Sequence, residues 1–275
     1  MGQYVRQRGN HRPLICVAGC GRMGLPMLRS LQEAGHAAVG FDVVAVADDI
    51  VLDPTALKDT RTVISVVRDA DQTDDLLFGA QDLISNAPHL GCVIISSTLS
   101  PRYIHALRKR LPDPITLIDA PMSGAAIAAQ NGTLSFMLGG STTDLDAAQP
   151  IFAAMGSSFH RMGPLGAGMQ AKVLNNILAA ANTVLTRQVL DWSDAAGLNE
   201  AKMLDLIAAS SGQNWLASGF EKIEFARDGW AEDNSIGILT KDVSAALDSL
   251  PADTDHSLPI ALRAALFNLT PRSKN

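Results

Sequence analysis

Cysteine is scarce in this chain of 275 residues, and the three present, Cys16, Cys20 and Cys92, are odd in number and not paired by spacing. That excludes a disulfide framework. Cys16 and Cys92 lie in apolar runs that read as strands, so core thiols in a reducing compartment are expected, with the cytoplasm as the address. Charge is thin as well. Asp, Glu, Lys and Arg make up 18% of the residues and the formal net charge is −6, which argues against nucleic acid as a partner. No apolar run approaches the roughly 20 residues that a membrane helix needs, so no membrane partner is expected. Residues 1–13, MGQYVRQRGNHRP, lack the apolar centre of a signal peptide and read as a flexible leader. His160 and His256 lack metal-ligand spacing, and no metal site is expected. Internal repeats and low-complexity tracts are absent.

What the chain has is apolar residues, at 47%, arranged in two different ways along its length. From residue 14 to about 119, short β-rich runs alternate with helical patterns. The runs are 14–18, 37–41, 62–67, 92–96 and 115–119, with further strand-like pieces at 134–138 and 157–162. Helices are expected over 23–34, 71–78 and 101–110, the last capped by Ser100, and after Ser141 or Thr142. Near-continuous Val/Ile runs suit strands buried on both faces of a parallel sheet. Beyond Gly163-Pro164 the pattern becomes helical, first over 166–196 with a C-cap at Gly197, then near 199–209, 214–227, 235–250 and 257–268. The expected organisation is an α/β doubly wound domain over 14–163 and an all-α domain over 164–275.

Three glycines, Gly19, Gly21 and Gly24, follow the first strand and open the first helix in CVAGCGRMGLPML. In that context G-x-G-x-x-G is the Rossmann-type dinucleotide fingerprint. It comprises a tight turn, a close backbone approach to pyrophosphate, and a close helix–strand contact. The turn residues Cys20, Arg22 and Met23 join the glycines as cofactor-binding candidates, and backbone N–H groups at the helix N-terminus are expected to bind the phosphate charge. Asp42 ends the second strand, eighteen residues beyond Gly24, where an acid meets the adenine ribose hydroxyls. VVAVADD follows it, with no Lys or Arg until Lys58. A 2′-phosphate would face a carboxylate without a neighbouring cation, so NAD is favoured over NADP.

In the helical half, Lys172 is followed at i+3 and i+4 by Asn175 and Asn176, within a helix that also presents Val173, Leu174, Ile177 and Leu178. An amine and amides in an alanine-rich apolar helix need partners, and either a ligand pocket or a solvent-facing patch supplies them.

Four segments, GCGRMGLPM (19–27), DAPMSGAAIAAQNGTLSFMLGG (119–140), GPLGAGMQAKVLNN (163–176) and LTKDVSAAL (239–247), together resemble the β-hydroxyacid dehydrogenases. That family includes 3-hydroxyisobutyrate dehydrogenase, tartronate semialdehyde reductase and, more distantly, 6-phosphogluconate dehydrogenase. The resemblance implies NAD(P)-linked hydride transfer to or from a small β-hydroxy acid or its semialdehyde. It makes Lys172 the catalytic lysine and Asn176 its supporting amide. It assigns Ser123, Gly124 and Ala125 to the substrate carboxylate, lays Val66 and Val67 along the cofactor, and places Thr98 and Lys241 near it. A homodimer or homotetramer is implied too. The chain departs from the family at Ala125 and Ala128, where glycines are usual, at Arg68 for proline, at Asn234 for phenylalanine, and in its ending NLTPRSKN. Two other readings stay open. An imine reductase-like enzyme is one, though such relatives usually lack the lysine. A non-catalytic dinucleotide-binding scaffold is the other, and it needs none of Lys172, Asn176 and Ser123.

Overall fold

The computed structural model describes residues 14–273, so the expected leader lies outside the described residues. Two compact units emerge. One runs through Ser97 and resumes over Ile104–Gly168; the other holds Thr98–Tyr103 and continues from Met169.

In the first unit the strands are β1 (Leu14–Ala18), β2 (Ala38–Phe41), β3 (Ile50–Val51), β4 (Thr60–Ser65), β5 (Cys92–Ile95), β6 (Thr116–Asp119), β7 (Met122–Ser123), β8 (Leu134–Gly139) and β9 (Gly156–Gly163), all but the two-residue β3 and β7 arising from the expected runs. They form one sheet in the order β3-β2-β1-β4-β5-β6-β8-β7, with β9 also on β8. Pairing is parallel from β3 through to β6 and turns antiparallel where β6 meets β8. Helices α1 (Gly24–Glu33), α2 (Ala70–Leu77), α3 (Leu83–Asn86), α4 (Pro101–Arg110), α5 (Ala125–Gln130) and α6 (Thr142–Met155) connect the strands. Val17, Ile64, Ile94 and Ile118 from the sheet pack with Met27, Leu28 and Leu31 of α1 and with Phe136 and Phe152 in one core. Burial on both faces is why these strands read as continuous apolar runs. The chain starts at the sheet's centre, builds outward through β2 and β3, then returns to β4 on the other side of β1. That reversal opens a crevice at the carboxyl ends of β1 and β4.

The second unit is helical: α7 (Ala167–Ala195), α8 (Glu200–Ala208), α9 (Trp215–Gly219), α10 (Ser235–Ser249) and α11 (Ser257–Phe267). Asparagines set three of its helix starts. Asn199, Asn214 and Asn234 accept the N–H of Lys202, Ala217 and Gly237 at 3.1, 3.0 and 3.0 Å. Asn234, where the resembled family has phenylalanine, therefore has a physical role as the cap of α10. Gly197, in the left-handed region at φ +73°, ends α7 as expected.

Two expectations need correction. The helix expected over 214–227 stops at Gly219, because glycine is a poor helix former and Lys222 and Ile223 fold their N–H groups back onto its carbonyl, both at 2.8 Å. Phe220, Ile223 and Ala226 then reach their core from turns rather than from a helix face. Cys92 is only partly buried, since it opens its strand rather than lying within it, while Cys16 and Cys20 are fully buried.

Candidate active site

At the carboxyl end of β1 the backbone explains each glycine of the fingerprint. Gly19 has φ +93°, and a Cβ there would stand 2.9 Å from the backbone of Val66 and Val67. A Cβ on Gly24 would lie 1.9 Å from the carbonyl oxygen of Gly19, so α1 can pack this closely only on glycine. Gly21 differs: a Cβ would meet nothing within 4 Å, because this position faces open space. Helix α1 starts without a side-chain cap. An open backbone turn before an uncapped helix start fits a dinucleotide pyrophosphate.

Asp42, just past β2, accepts the Cys20 N–H on Oδ2 at 2.7 Å and the Val44 N–H on Oδ1 at 3.2 Å. Its carboxylate is thereby tied to the glycine turn. Lone pairs remain on both oxygens for ribose hydroxyls. Exposed Val43, Val44 and Val46 follow it, and the nearby Arg29 is engaged by Asp49 at 2.5 and 2.6 Å. The Cys20 thiol inside the turn is pushed up to about 12, by burial first and by the Asp42 charge second, and so stays protonated. Arg22 and Gly21 are exposed, while Met23 is partly buried.

Ser123 ends β7, and Gly124 and Ala125 start α5. Gly124 sits at φ +133°, and a Cβ there would meet the Ala128 methyl at 2.4 Å. Ala125 is at φ +54°, in the left-handed region. The backbone thus keeps a conformation that suits glycine although the residue is alanine. All three residues lie in the sheet unit with the glycine turn, Asp42, Val66 and Val67.

In the helical unit, Lys172 and Asn176, one turn apart on α7, are buried to 8% and 6% exposure. Asn175 is exposed, which corrects the expectation that it shares their face, and Leu174 and Leu178 are exposed as well. Helical geometry explains this, since i+4 returns to the face of Lys172 more closely than i+3. The Asn176 amide donates to Asp242 Oδ2 at 2.6 Å. Asp242 Oδ1 lies 3.2 Å from the Lys241 ammonium, which also donates to the carbonyl of Thr98 at 2.6 Å. Lys172, Asn176, Lys241 and Thr98 therefore share one unit with Asp242, a residue that sequence reasoning missed. Its signal was present: Leu239, Val243 and Ala246 form an apolar stripe on α10, and Asp242 is an acid on that buried face, 2% exposed. Burial pulls the Lys172 ammonium below the usual lysine range, Asp242 opposes this, and Lys241 adds to it. An amine so perturbed in a polar, buried setting can exchange a proton nearer neutrality.

Among the described residues, no cluster of His, Cys, Asp or Glu is arranged to hold a metal, and no helix is long and apolar enough to cross a membrane.

Residues 14–163 match the family model described as the NAD binding domain of 6-phosphogluconate dehydrogenase. Residues 166–270 match the one described as NAD-binding of NADP-dependent 3-hydroxyisobutyrate dehydrogenase. The NAD-dependent L-serine dehydrogenase of Pseudomonas aeruginosa is 30% identical, covering 93% of this chain and 91% of its own length. A 3-hydroxyisobutyrate dehydrogenase of the same organism is 29% identical with the same coverage. Among solved structures, 3-hydroxyisobutyrate dehydrogenase of Mycobacterium tuberculosis, determined with L-serine, aligns at 25% identity and a TM-score of 0.74 over 92% of this chain and 91% of that one.

Proposed function

Given that this chain belongs to the 3-hydroxyisobutyrate dehydrogenase family of β-hydroxyacid dehydrogenases, NAD(P)-dependent enzymes acting on CH–OH groups, we propose that it interconverts a small β-hydroxy acid and its semialdehyde, with Lys172 moving the proton. The observation that carries this reading is the buried Lys172, with Asn176 held by Asp242 and a lowered ammonium pKa. In oxidation the neutral amine of Lys172 takes the hydroxyl proton as the C–H hydride leaves. A bound nicotinamide supplies the acceptor for that hydride. In reduction the Lys172 ammonium polarises the carbonyl and protonates the forming alkoxide. Asn176 is assigned the reacting oxygen as a second contact. Its amide is oriented by the 2.6 Å hydrogen bond to Asp242.

In the sheet unit, the Ser123 hydroxyl and the N–H groups of Gly124 and Ala125 are assigned to the substrate carboxylate. The pyrophosphate is assigned to the turn Gly19–Gly24 and the adenine ribose to Asp42. Val66 and Val67 are assigned to the cofactor's flank, Thr98 and Lys241 to its nicotinamide side. NAD is proposed over NADP because Asp42 sets a carboxylate at the end of the second strand, exposed valines follow it, and the nearby Arg29 is engaged by Asp49. Candidate substrates include L-serine and 3-hydroxyisobutyrate, the compounds named for the relatives.

The test is nicotinamide absorbance across β-hydroxy acids, semialdehydes and cyclic imines with each cofactor. NAD-linked turnover of a β-hydroxy acid or semialdehyde is expected. In Lys172→Ala it should fall at least about a hundredfold while NADH still binds. Turnover of imines alone, or undiminished turnover in the variant, refutes the assignment.

A further inference from the structure

Arg68 follows directly on Val66-Val67, at the edge of the crevice, and its side chain is exposed. Hydrogen bonds hold the backbone around it. The Val66 N–H donates to the carbonyl of Ala18 at 2.8 Å, and the Ser97 hydroxyl donates to the carbonyl of Val67 at 2.6 Å. The Arg68 N–H donates to Gln72 Oε1 at 3.0 Å, while Asp69 caps α2 by accepting the Gln72 N–H at 2.9 Å. These bonds are variants of a capping box and anchor the backbone on both sides of Arg68. The Gly19 turn lies flush against the same stretch, since a Cβ on Gly19 would stand 2.9 Å from Val66 and Val67. β1 and β4 are parallel neighbours, so Arg68 and the glycine turn emerge at the same end of the sheet.

At the glycine turn the Asp42 carboxylate is held by the Cys20 N–H, and the exposed Arg22 follows Gly21 in the turn itself. A dinucleotide pyrophosphate is a dianion, the backbone N–H groups add only partial positive charge, and a second guanidinium beside the turn complements it. From this placement we infer that Arg68 is a further cofactor-binding residue, its guanidinium contacting the pyrophosphate of the dinucleotide. A guanidinium suits this role because its planar donors match two phosphate oxygens at once. The inference rests on the dinucleotide reading of the glycine turn.

The experiment is titration of the full chain with NADH, NADPH, ADP-ribose and adenosine at several salt concentrations. It compares the wild type with Arg68→Ala and Arg68→Lys. Arg68→Ala should weaken NADH, NADPH and ADP-ribose alike, by about ten- to a hundredfold, and lessen the salt dependence. Arg68→Lys should recover part of the loss, because a point charge remains without the fork. Adenosine, which has no phosphate, should bind both variants as it binds the wild type. NADH affinity in Arg68→Ala within twofold of wild type overturns the inference, as does a loss confined to NADPH, which would place Arg68 at the 2′-phosphate. A wild type that binds neither NADH nor NADPH refutes the dinucleotide reading itself. Unchanged melting of Arg68→Lys keeps the comparison valid if the alanine variant folds poorly.

Discussion

Ala125→Gly should stabilise the sheet unit or leave it unchanged, whereas the same substitution one residue later should destabilise it. Ala125 is held at φ +54°. An L-residue in the left-handed region carries about 1–2 kcal/mol of strain that glycine does not. Against this, glycine gains freedom in the unfolded chain, which costs about 0.4–1 kcal/mol. The Ala125 methyl is exposed, so its removal forfeits little burial. The balance is a gain of about 0–1.5 kcal/mol. Ala126 lies within α5, and its replacement by glycine should cost about 1 kcal/mol. The contrast between neighbours is the measured quantity, since errors of extrapolation cancel. Trp192, Trp215 and Trp230 all belong to the helical unit, so tryptophan fluorescence follows that unit. Urea unfolding by far-ultraviolet circular dichroism, with hydrogen exchange on the β7–α5 segment, reads the sheet unit. If Ala125→Gly destabilises as much as Ala126→Gly, Ala125 is not strained and the glycine-like backbone described for it is wrong.

Asp242→Asn keeps an acceptor for Asn176 but removes the charge that favours the Lys172 ammonium. Oxidation needs the neutral amine and rises with pH through the Lys172 pKa, so the rise should move to lower pH; an unmoved limb in the kcat/KM profile refutes the coupling. Arg272 is buried among Asp191, Asp194 and Glu200, and its N–H donates to the carbonyl of Arg227, so the ending of the chain is tied to α7 and α8. Arg272→Ala should cost the helical unit about 3 kcal/mol in urea unfolding followed by fluorescence. Burial would raise the Glu200 carboxyl, but hydrogen bonds from Arg227 and Arg272 hold it below the ordinary range. A depressed acid stabilises above the unfolded-state value, about 4.3 for glutamate, and that stabilisation is lost as the pH falls through the folded-state pKa. The acid loss should therefore be smaller in Arg272→Ala, and an equal loss in both proteins removes the ion pair as its cause.

Periodicity made the main elements legible because burial imposes it directly. β1 and β5 are apolar throughout since all but the first residue of each is buried, and the Pro101–Arg110 helix is bounded by Ser100, which accepts the Arg102 N–H, and by Pro101 in its first turn. β3, α3, β7 and α5 were not legible, since two to six residues carry too little pattern. The glycine turn was readable because each glycine answers a local steric demand. Asp242 showed locally only as an acid on an apolar helix stripe, and no local pattern names its partner, Asn176, which lies 66 residues away.

By itself the sequence determined a Rossmann-type sheet domain with a helical domain after it, a dinucleotide fingerprint and a lysine with an amide one turn on. These follow from short-range sterics and from the period of apolar residues, which act between neighbours in the chain. Only tertiary structure decided that Asn175 is exposed while Asn176 is buried with Lys172, that Asp242 orients that amide, and that Ala125 keeps a backbone made for glycine. Each depends on which face is buried and on which distant atoms meet there, and that is set by packing.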